Sequence, residues 1–580
     1  MIRPCFLLLV SCSLTALGQN GLVPNPAANS ATLTATTRLV YEDVVVRDGQ
    51  GRVVQGLTLN DFKLKEDGAS QQIDYFDEHA YASSAAQKPA ASMPTPSSAK
   101  KWESITDFTN VPSPGTVDSV NIVLFDLLNT PVVDQLPARR ALLNFLISLP
   151  PGHQVALFVL SDRLHMFQNF TSSSDRLIEA SRAINPKSLL LTDSKLDKQQ
   201  ADDYVTEFEH LIGRDPGGAA AGLKKQNDQD ASYNLGVRLT GTLRALAQLA
   251  RATSGYPGRK NLLWLSSSFP VTLGAQMEFL QGAAVVQPDD ARETTNLLTT
   301  AQMAVYPISL LGLETEGVST ASSGLGSVAL GGGAKSDSSL RDQFTDRAAL
   351  RAGMNDLAFQ TGGIAFVGTN DFARALRLSI EDGSNYYTLA YRPQNQKADG
   401  RFHKIRVELV RKGYSLSYRR GYFAFDKPST SNSVLELNAA VEPETPESTM
   451  LTLKSEVEQS GAGIVKVAST LDMANMTLVS TDDGHRRGKL LVLLVAYDDT
   501  PGMVAQTLSE ALPQTFAMLN LDFDASQYQR TAIDGISFTQ QLKLKPGSYR
   551  LRLGVADLQS HRLGTLDMPI HVGNPGQQSK

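Results

Sequence analysis

The chain has 580 residues, too many for one hydrophobic core, so three or four domains are expected. Its residues are 42% apolar and 19% charged, and its net charge of −5 gives no polybasic signal. That balance argues against nucleic acid or an anionic membrane as a bulk-charge partner, and recognition must come through shape.

The N-terminus reads MIRPCFLLLVSCSLTALGQN, with one Arg, the short apolar run Cys5–Val10 and a small-residue ending at Ala16-Leu17-Gly18. The run cannot span a bilayer, and the pattern predicts a secretory signal over residues 1–18, cleaved after Gly18. Leu9-Val10-Ser11-Cys12 resembles a lipobox, so a lipid on Cys12 is the rival processing, although the apolar run before it is short for that route. Both cysteines, Cys5 and Cys12, fall in this segment, so simple cleavage leaves no thiol, disulfide or Cys-ligated metal. No other stretch approaches ~18 uninterrupted apolar residues, so no integral membrane span is expected. The chain is expected to be exported to the periplasm or beyond the cell.

Residues 36–79 read as a small antiparallel β domain. Thr36–Arg47 has strand composition, Asp48-Gly49-Gln50-Gly51 supplies a turn, and Asp67-Gly68 marks a hairpin before Gln71–Phe76. Residues 80–118 are rich in Ala, Ser and Pro and read as a linker. From Val120 strands alternate with helices: strand Asn121–Phe125, helix Gln135–Leu149, strand Val155–Leu160, an edge-like segment Leu164–Phe170, and a helix after Thr171-Ser172-Ser173. The helical stripe over Gln135–Leu149 is read as Leu136, Ala138, Leu142, Leu143, Leu146 and Ile147. After an insertion at 186–234 with a polar helix near Gln199–Leu211, the alternation resumes: helix Val237–Ala252, strand Asn261–Leu265, helix Asp290–Met303, strand Ala304–Leu310, helix Arg347–Thr361 and strand Ile364–Val367. This spacing predicts a doubly wound, mostly parallel sheet, whose ligands sit beyond the strand C-termini.

The Gly-rich run at 319–339 lacks GxxxxGK[ST] and reads as a surface loop. Tyr386–Tyr391, Lys404–Val410 and Tyr414–Tyr422 are strands that extend the sheet or pack beside it, closing a domain over 119–425. A second linker is expected over 426–448. Alternating segments with turns at Asp482-Asp483-Gly484, Pro501-Gly502 and Pro546-Gly547 then predict an immunoglobulin-like β-sandwich over 449–575, without the Cys-Trp-Cys signature.

Taken together, NIVLFDLLNT, LPPGHQVALFVLSDRLHMFQNFTSS, YPGRKNLLWLSSSFP, DLAFQTGGIAF and the run EDGSNYYTLAYRP through YRRGYFAF resemble the von Willebrand factor type A-related proteins of acidobacteria, from about residue 36 to 425. The resemblance implies a central parallel sheet with one antiparallel edge strand. It also implies a metal-ion-dependent adhesion site, built from a DxSxS loop, a distant Thr and a distant Asp around Mg²⁺. Here DxSxS becomes Asp126-Leu127-Leu128-Asn129-Thr130, the distant Thr is Thr240 or Thr242, and Ser266-Ser267-Ser268 stands where a TDG-like sequence is expected. The metal ligands on offer are therefore Asp126, Thr130 and Thr242, one carboxylate plus hydroxyls, which points to a degenerate site with no cofactor or, at most, Mg²⁺. The other role open to Asp126 is to hydrogen-bond its loop or cap the following helix, where Asp134 competes.

No HExxH or GxSxG occurs, and the eight histidines are scattered. The expectation is an exported non-enzymatic interaction or adhesion module that meets a protein or surface polymer. A secreted serine hydrolase using Ser266–Ser268 and a purely architectural envelope component are the alternatives. Partner identity and oligomeric state are not written in the sequence.

Overall fold

The computed structural model describes residues 39–80, 107–111, 119–149, 153–184, 219–256, 258–267, 288–310, 352–367, 372–395, 399–424, 433–443, 445–460, 463–498 and 513–573, all within one compact unit, Leu39–Lys580. The expected signal segment with Cys5 and Cys12, most of the expected first linker, the expected polar helix near Gln199–Leu211, the Gly-rich run 319–339 and Ser268 lie outside the described residues. No described helix is long and apolar enough to cross a membrane.

In chain order the first strands are β1 (Val40–Arg47), β2 (Phe62–Glu66), β3 (Ala69–Gln71), β4 (Ile73–Ala80) and β5 (Asp107–Thr109). An α/β segment follows: β6 (Ser119–Asp126), α1 (Val132–Ile147), β7 (Val155–Leu160), β8 (Leu164–Thr171), α2 (Ser174–Ala183), α3 (Ala219–Thr253), β9 (Arg259–Ser266), α4 (Pro288–Thr300), β10 (Met303–Ser309), helical residues 352–361 and α5 (Phe372–Ser384). Its sheet runs β10-β9-β6-β7-β8, parallel throughout except for antiparallel β8. A parallel bridge from Ile308 to Phe366 adds a sixth position outside β10. Numbered by occurrence, the order is 3-2-1-4-5-6, the doubly wound arrangement whose direction reverses between β6 and β9.

The strands are continuous apolar runs because both faces are covered. Ile122, Leu124, Leu262 and Trp264 face one core with Leu246 and Leu249 of α3, whereas Val123, Phe125, Leu263 and Leu265 face the other with Leu142 and Phe145 of α1. The stripe on α1 differs from the sequence reading. Ala138, Leu142, Phe145 and Leu146 are buried, while Leu136 and Ile147 are 62% and 66% exposed. The helix starts at Val132 rather than Gln135, so the face turned to the sheet includes Phe145. Segment 364–367 contributes only a bridge, and it lies so close to β10 that a Cβ on Gly363 would stand 1.9 Å from the Val305 carbonyl oxygen.

The chain then supplies β11 (Asn385–Tyr391), β12 (Phe402–Leu409), β13 (Ser415–Ser417) and β14 (Gly421–Phe423). These do not extend the parallel sheet. They complete two sheets with the first four strands, in the orders β13-β1-β11-β4 and β14-β12-β2-β3. Val44, Val46, Phe62 and Leu64 share one core with Leu389, Tyr391, Ile405 and Val407. A boundary at residue 79 with everything from 119 to 425 assigned elsewhere therefore divides strands that are hydrogen-bonded to one another. Strands β2 and β12 alternate inward and outward residues, whereas β1 and β11 are buried along almost their whole length, and in either case pairing across some 300 residues leaves no local trace.

Buried charges join this sandwich to the N-terminal edge of the parallel sheet. Arg419, paired with Glu42 at 3.0 Å, donates from Nη1 to the Thr299 carbonyl at 3.4 Å, Asp43 accepts from Gln302 Nε2 at 3.1 Å and Thr388 Oγ1 at 2.9 Å, and Tyr306 donates to Asp382 at 3.0 Å while Arg47 pairs with the same carboxylate.

The last region contains α6 (Ser433–Ala440), β15 (Leu453–Ser460), β16 (Ile464–Leu471), β17 (Val479–Ser480), β18 (Arg486–Asp498), β19 (Gln514–Phe523), α7 (Ala525–Asp534), β20 (Ile536–Lys543), β21 (Gly547–Asp557) and β22 (Leu563–Val572). Sheet β20-β16-β15-β5 faces sheet β17-β18-β21-β22, with β19 paired to β18, around Leu453, Val467, Val492, Leu494 and Leu553. Strand β5 comes from the expected first linker and α6 from the expected second. Leu437 of α6 covers Leu491 and Leu493 on the outer face of β18. Thr449 ties this region to the end of α3: its hydroxyl donates to the Ala252 carbonyl at 3.0 Å and accepts from the Gly255 N–H at 2.8 Å.

Candidate functional site at the sheet crown

In a doubly wound sheet the crevice forms where strand order reverses, beyond the C-terminal ends of β6 and β9. Asp126 ends β6 there and Ser266 ends β9. Asp126, Asn129, Thr130, Thr242 and Ser266 are all fully buried, so the structure brings Asp126, Thr130 and Thr242 together in a closed pocket.

The carboxylate of Asp126 is saturated by donors. Its Oδ1 accepts from the Asn129 N–H at 2.9 Å, and its Oδ2 accepts from Asn129 Nδ2 and Trp264 Nε1, each at 2.9 Å. Burial pushes its carboxyl above the ordinary range, and the bonds from Asn129, Trp264 and Ser266 pull it back. Asp126 thus holds its own loop. It does not cap α1, whose N-cap is Pro131 with no side-chain cap, and Asp134 sits inside the first turn of that helix.

Thr130 donates to the Asp126 carbonyl at 2.5 Å and accepts from the Ser267 N–H at 3.3 Å, so it links the two strand ends. Thr242 lies within α3 rather than on a loop. It donates to the Arg238 carbonyl at 2.7 Å and accepts from Asn129 Nδ2 at 2.8 Å, whereas Thr240 faces outward. Leu128 belongs to the sheet core and meets α3 where a Cβ on Gly241 would be 3.0 Å from its Cδ2.

These donors do not fit a hard divalent cation. Mg²⁺ requires several inward oxygens, but here an amide N–H₂ group stands between Asp126 and Thr242, and both threonine hydroxyl oxygens already accept N–H groups, Thr242 from Asn129 Nδ2 and Thr130 from the Ser267 N–H. Asn129 Oδ1 and Ser267 Oγ are buried at the same place and find no hydrogen-bond partner among the described residues. Nor do Ser266 and Ser267 present a nucleophile, since Ser266 is fully buried and bonded to Asp126 and Ser267 is 5% exposed. The sequence reading omitted Asn129 and Trp264, although both stand in the quoted segments. An Asn three residues after a strand-end Asp, and a Trp in an otherwise aliphatic strand, were the available signals.

No protein-family model matches the chain, and no curated protein matches it in sequence. Among solved structures it is similar to proximal thread matrix protein 1 from the mussel byssus (9% identity, TM-score 0.24, covering 46% of this chain and 47% of that one). It is also similar to an aerotolerance-related membrane protein from Bacteroides fragilis (10%, 0.23, 46% and 98%) and to a von Willebrand factor type A structure from Catenulispora acidiphila (9%, 0.22, 58% and 79%). The first match spans about half of the mussel protein. Likenesses at this level carry no argument, and the fold assignment rests on the strand order.

Proposed function

We propose that the chain is an exported, non-enzymatic recognition protein in which a von Willebrand factor type A-like domain, set within one β-sandwich and followed by another, meets a protein or surface polymer without a bridging cation. The observation that carries this reading is the Asn129 amide, which occupies the space between Asp126 and Thr242 and closes the crown. A partner carboxylate has no metal to complete there, so contact falls to the outer surfaces. One such surface is a cleft of about 480 Å³ between α3, α4 and α6, where Arg251 pairs with Glu293 at 3.1 Å and Glu436 at 3.3 Å. Its volume is in the range of specific ligand sites.

The test uses the full chain. Retention on envelopes of the source cells is measured with and without EDTA, and serine reactivity is measured with a fluorophosphonate. Retention indifferent to EDTA without serine labelling is expected. Labelling of Ser266 or Ser267 sinks the non-enzymatic reading, and EDTA-sensitive retention restored by Mg²⁺ sinks the cation-free one.

A further inference from the structure

We infer that the first sandwich contains a divalent metal site of the zinc class, formed by Glu66, Asp67 and His403. It lies apart from the crown, and its argument does not depend on the recognition reading. Glu66 is the last residue of β2, and its side chain points inward with Phe62 and Leu64. His403 alternates inward with Ile405 and Val407 on the neighbouring strand β12. Asp67 begins the turn into β3 with φ +49°, followed by Gly68 at φ +86°, and this hairpin swings its carboxylate back over His403.

The ligand atoms converge. His403 Nδ1 is 2.9 Å from Asp67 Oδ2 and 3.4 Å from Glu66 Oε1, and the three lie within 4.8 Å of one another. Tetrahedral Zn²⁺ with bonds of ~2.0–2.1 Å places neighbouring ligand atoms about 3.3 Å apart. His403 is only 3% exposed, yet its Nδ1 forms no hydrogen bond with either carboxylate. A buried ring nitrogen within ion-pair distance of two carboxylate oxygens, without an aligned hydrogen bond to either, is a donor set that a shared cation satisfies.

Every other polar atom of the three side chains is already held. Glu66 Oε2 accepts from Tyr391 at 2.6 Å and Tyr422 at 3.2 Å, and Asp67 Oδ1 accepts from the Lys404 N–H at 2.8 Å. His403 Nε2 faces Asp399 Oδ1 at 3.2 Å, and its ring stacks on Tyr422 at 5.5 Å. A carboxylate on the far nitrogen of a metal-binding imidazole is the usual orienting contact in zinc sites. Among the described residues no Lys or Arg pairs with Glu66, and the carboxylates of Glu66, Asp67 and, on the far nitrogen, Asp399 surround one imidazole, an anionic cluster that a 2+ ion offsets. The imidazole favours Zn²⁺ over Mg²⁺ or Ca²⁺. Asp67, with a side chain 49% exposed, leaves the fourth position open to water or a ligand group.

The experiment is calorimetric titration of the full chain with Zn²⁺ at pH 7.5, a Co²⁺ absorption spectrum, and thermal melts with and without EDTA. One ion per chain is expected, with visible Co²⁺ bands and a melting temperature that falls with EDTA. Asp67→Asn tolerates the left-handed turn and keeps the fold, and it should weaken Zn²⁺ at least roughly tenfold. Absence of Zn²⁺ binding overturns the proposal in favour of a simple buried His–carboxylate pair, and so does unchanged affinity in Asp67→Asn.

Discussion

Trp264 donates its indole N–H to Asp126 Oδ2 at 2.9 Å, so the carboxylate at the reversal point of the sheet is fastened to the next strand instead of facing a ligand. Trp264→Phe removes that donor while keeping most of the ring volume. The buried carboxylate then lacks one partner, and stability should fall by about 1–3 kcal/mol, read as a lower urea midpoint with an unchanged slope.

Asn129→Asp reverses the electrostatics of the crown. Without a cation, two buried carboxylates confront each other and the melting temperature should drop by several degrees, whereas millimolar Mg²⁺ should restore much of the loss. The parent chain should show no comparable Mg²⁺ response. Melts of both proteins across a Mg²⁺ series decide the matter, and a large Mg²⁺ stabilisation of the parent would contradict the closed-pocket description.

Much of this arrangement was legible in the sequence because parallel strands announce themselves as buried runs. Val155–Leu160 matches its expected bounds, and Arg259–Ser266 and Met303–Ser309 fall within two residues of theirs. The candidate site was legible only in part. Asp126, Thr130 and Thr242 do meet, but the decisive contact is an amide proton between residues 113 positions apart, which no local pattern encodes. The pairing of β1 with β11 was hidden for the same reason, since a strand's apolar pattern records which residues are buried but not which partner lies beside it.

Gly363→Ala should be among the most damaging small substitutions in the chain. Its Cβ would stand 1.9 Å from the Val305 carbonyl oxygen, so residues 363–366 must leave β10 or the sheet must shift. A loss above about 4 kcal/mol is expected, with early proteolytic cleavage near that segment. A near-native melting curve would show that the approach is looser than described.

The carboxyl of Glu447 is raised to about 7, chiefly by burial, against the pull of the hydrogen bond that the Asp567 N–H donates to it at 2.6 Å. A raised value in the folded state means that its contribution is complete below the unfolded value and is lost as pH climbs through about 7. Unfolding free energy should therefore decline from pH 5 to pH 8, by up to about 2 kcal/mol from this group. Glu42, also raised to about 7 by burial, adds to the same slope. Glu447→Gln retains the acceptor oxygen and should flatten part of the decline, which denaturant titrations at the two pH values will measure.

The pairing of the first strands with β11 and β12 bears on how the molecule is made. Asp43 must wait 345 residues for its contact with Thr388, so on the ribosome the opening hairpins emerge long before their mates exist. The doubly wound layer between them can mature earlier, because its neighbours in space are closer in the chain. Closure of the surrounding sandwich is then the late step of biogenesis. Until it happens, the bare edges of the earliest-made strands are the part of the newborn polypeptide most open to misassembly.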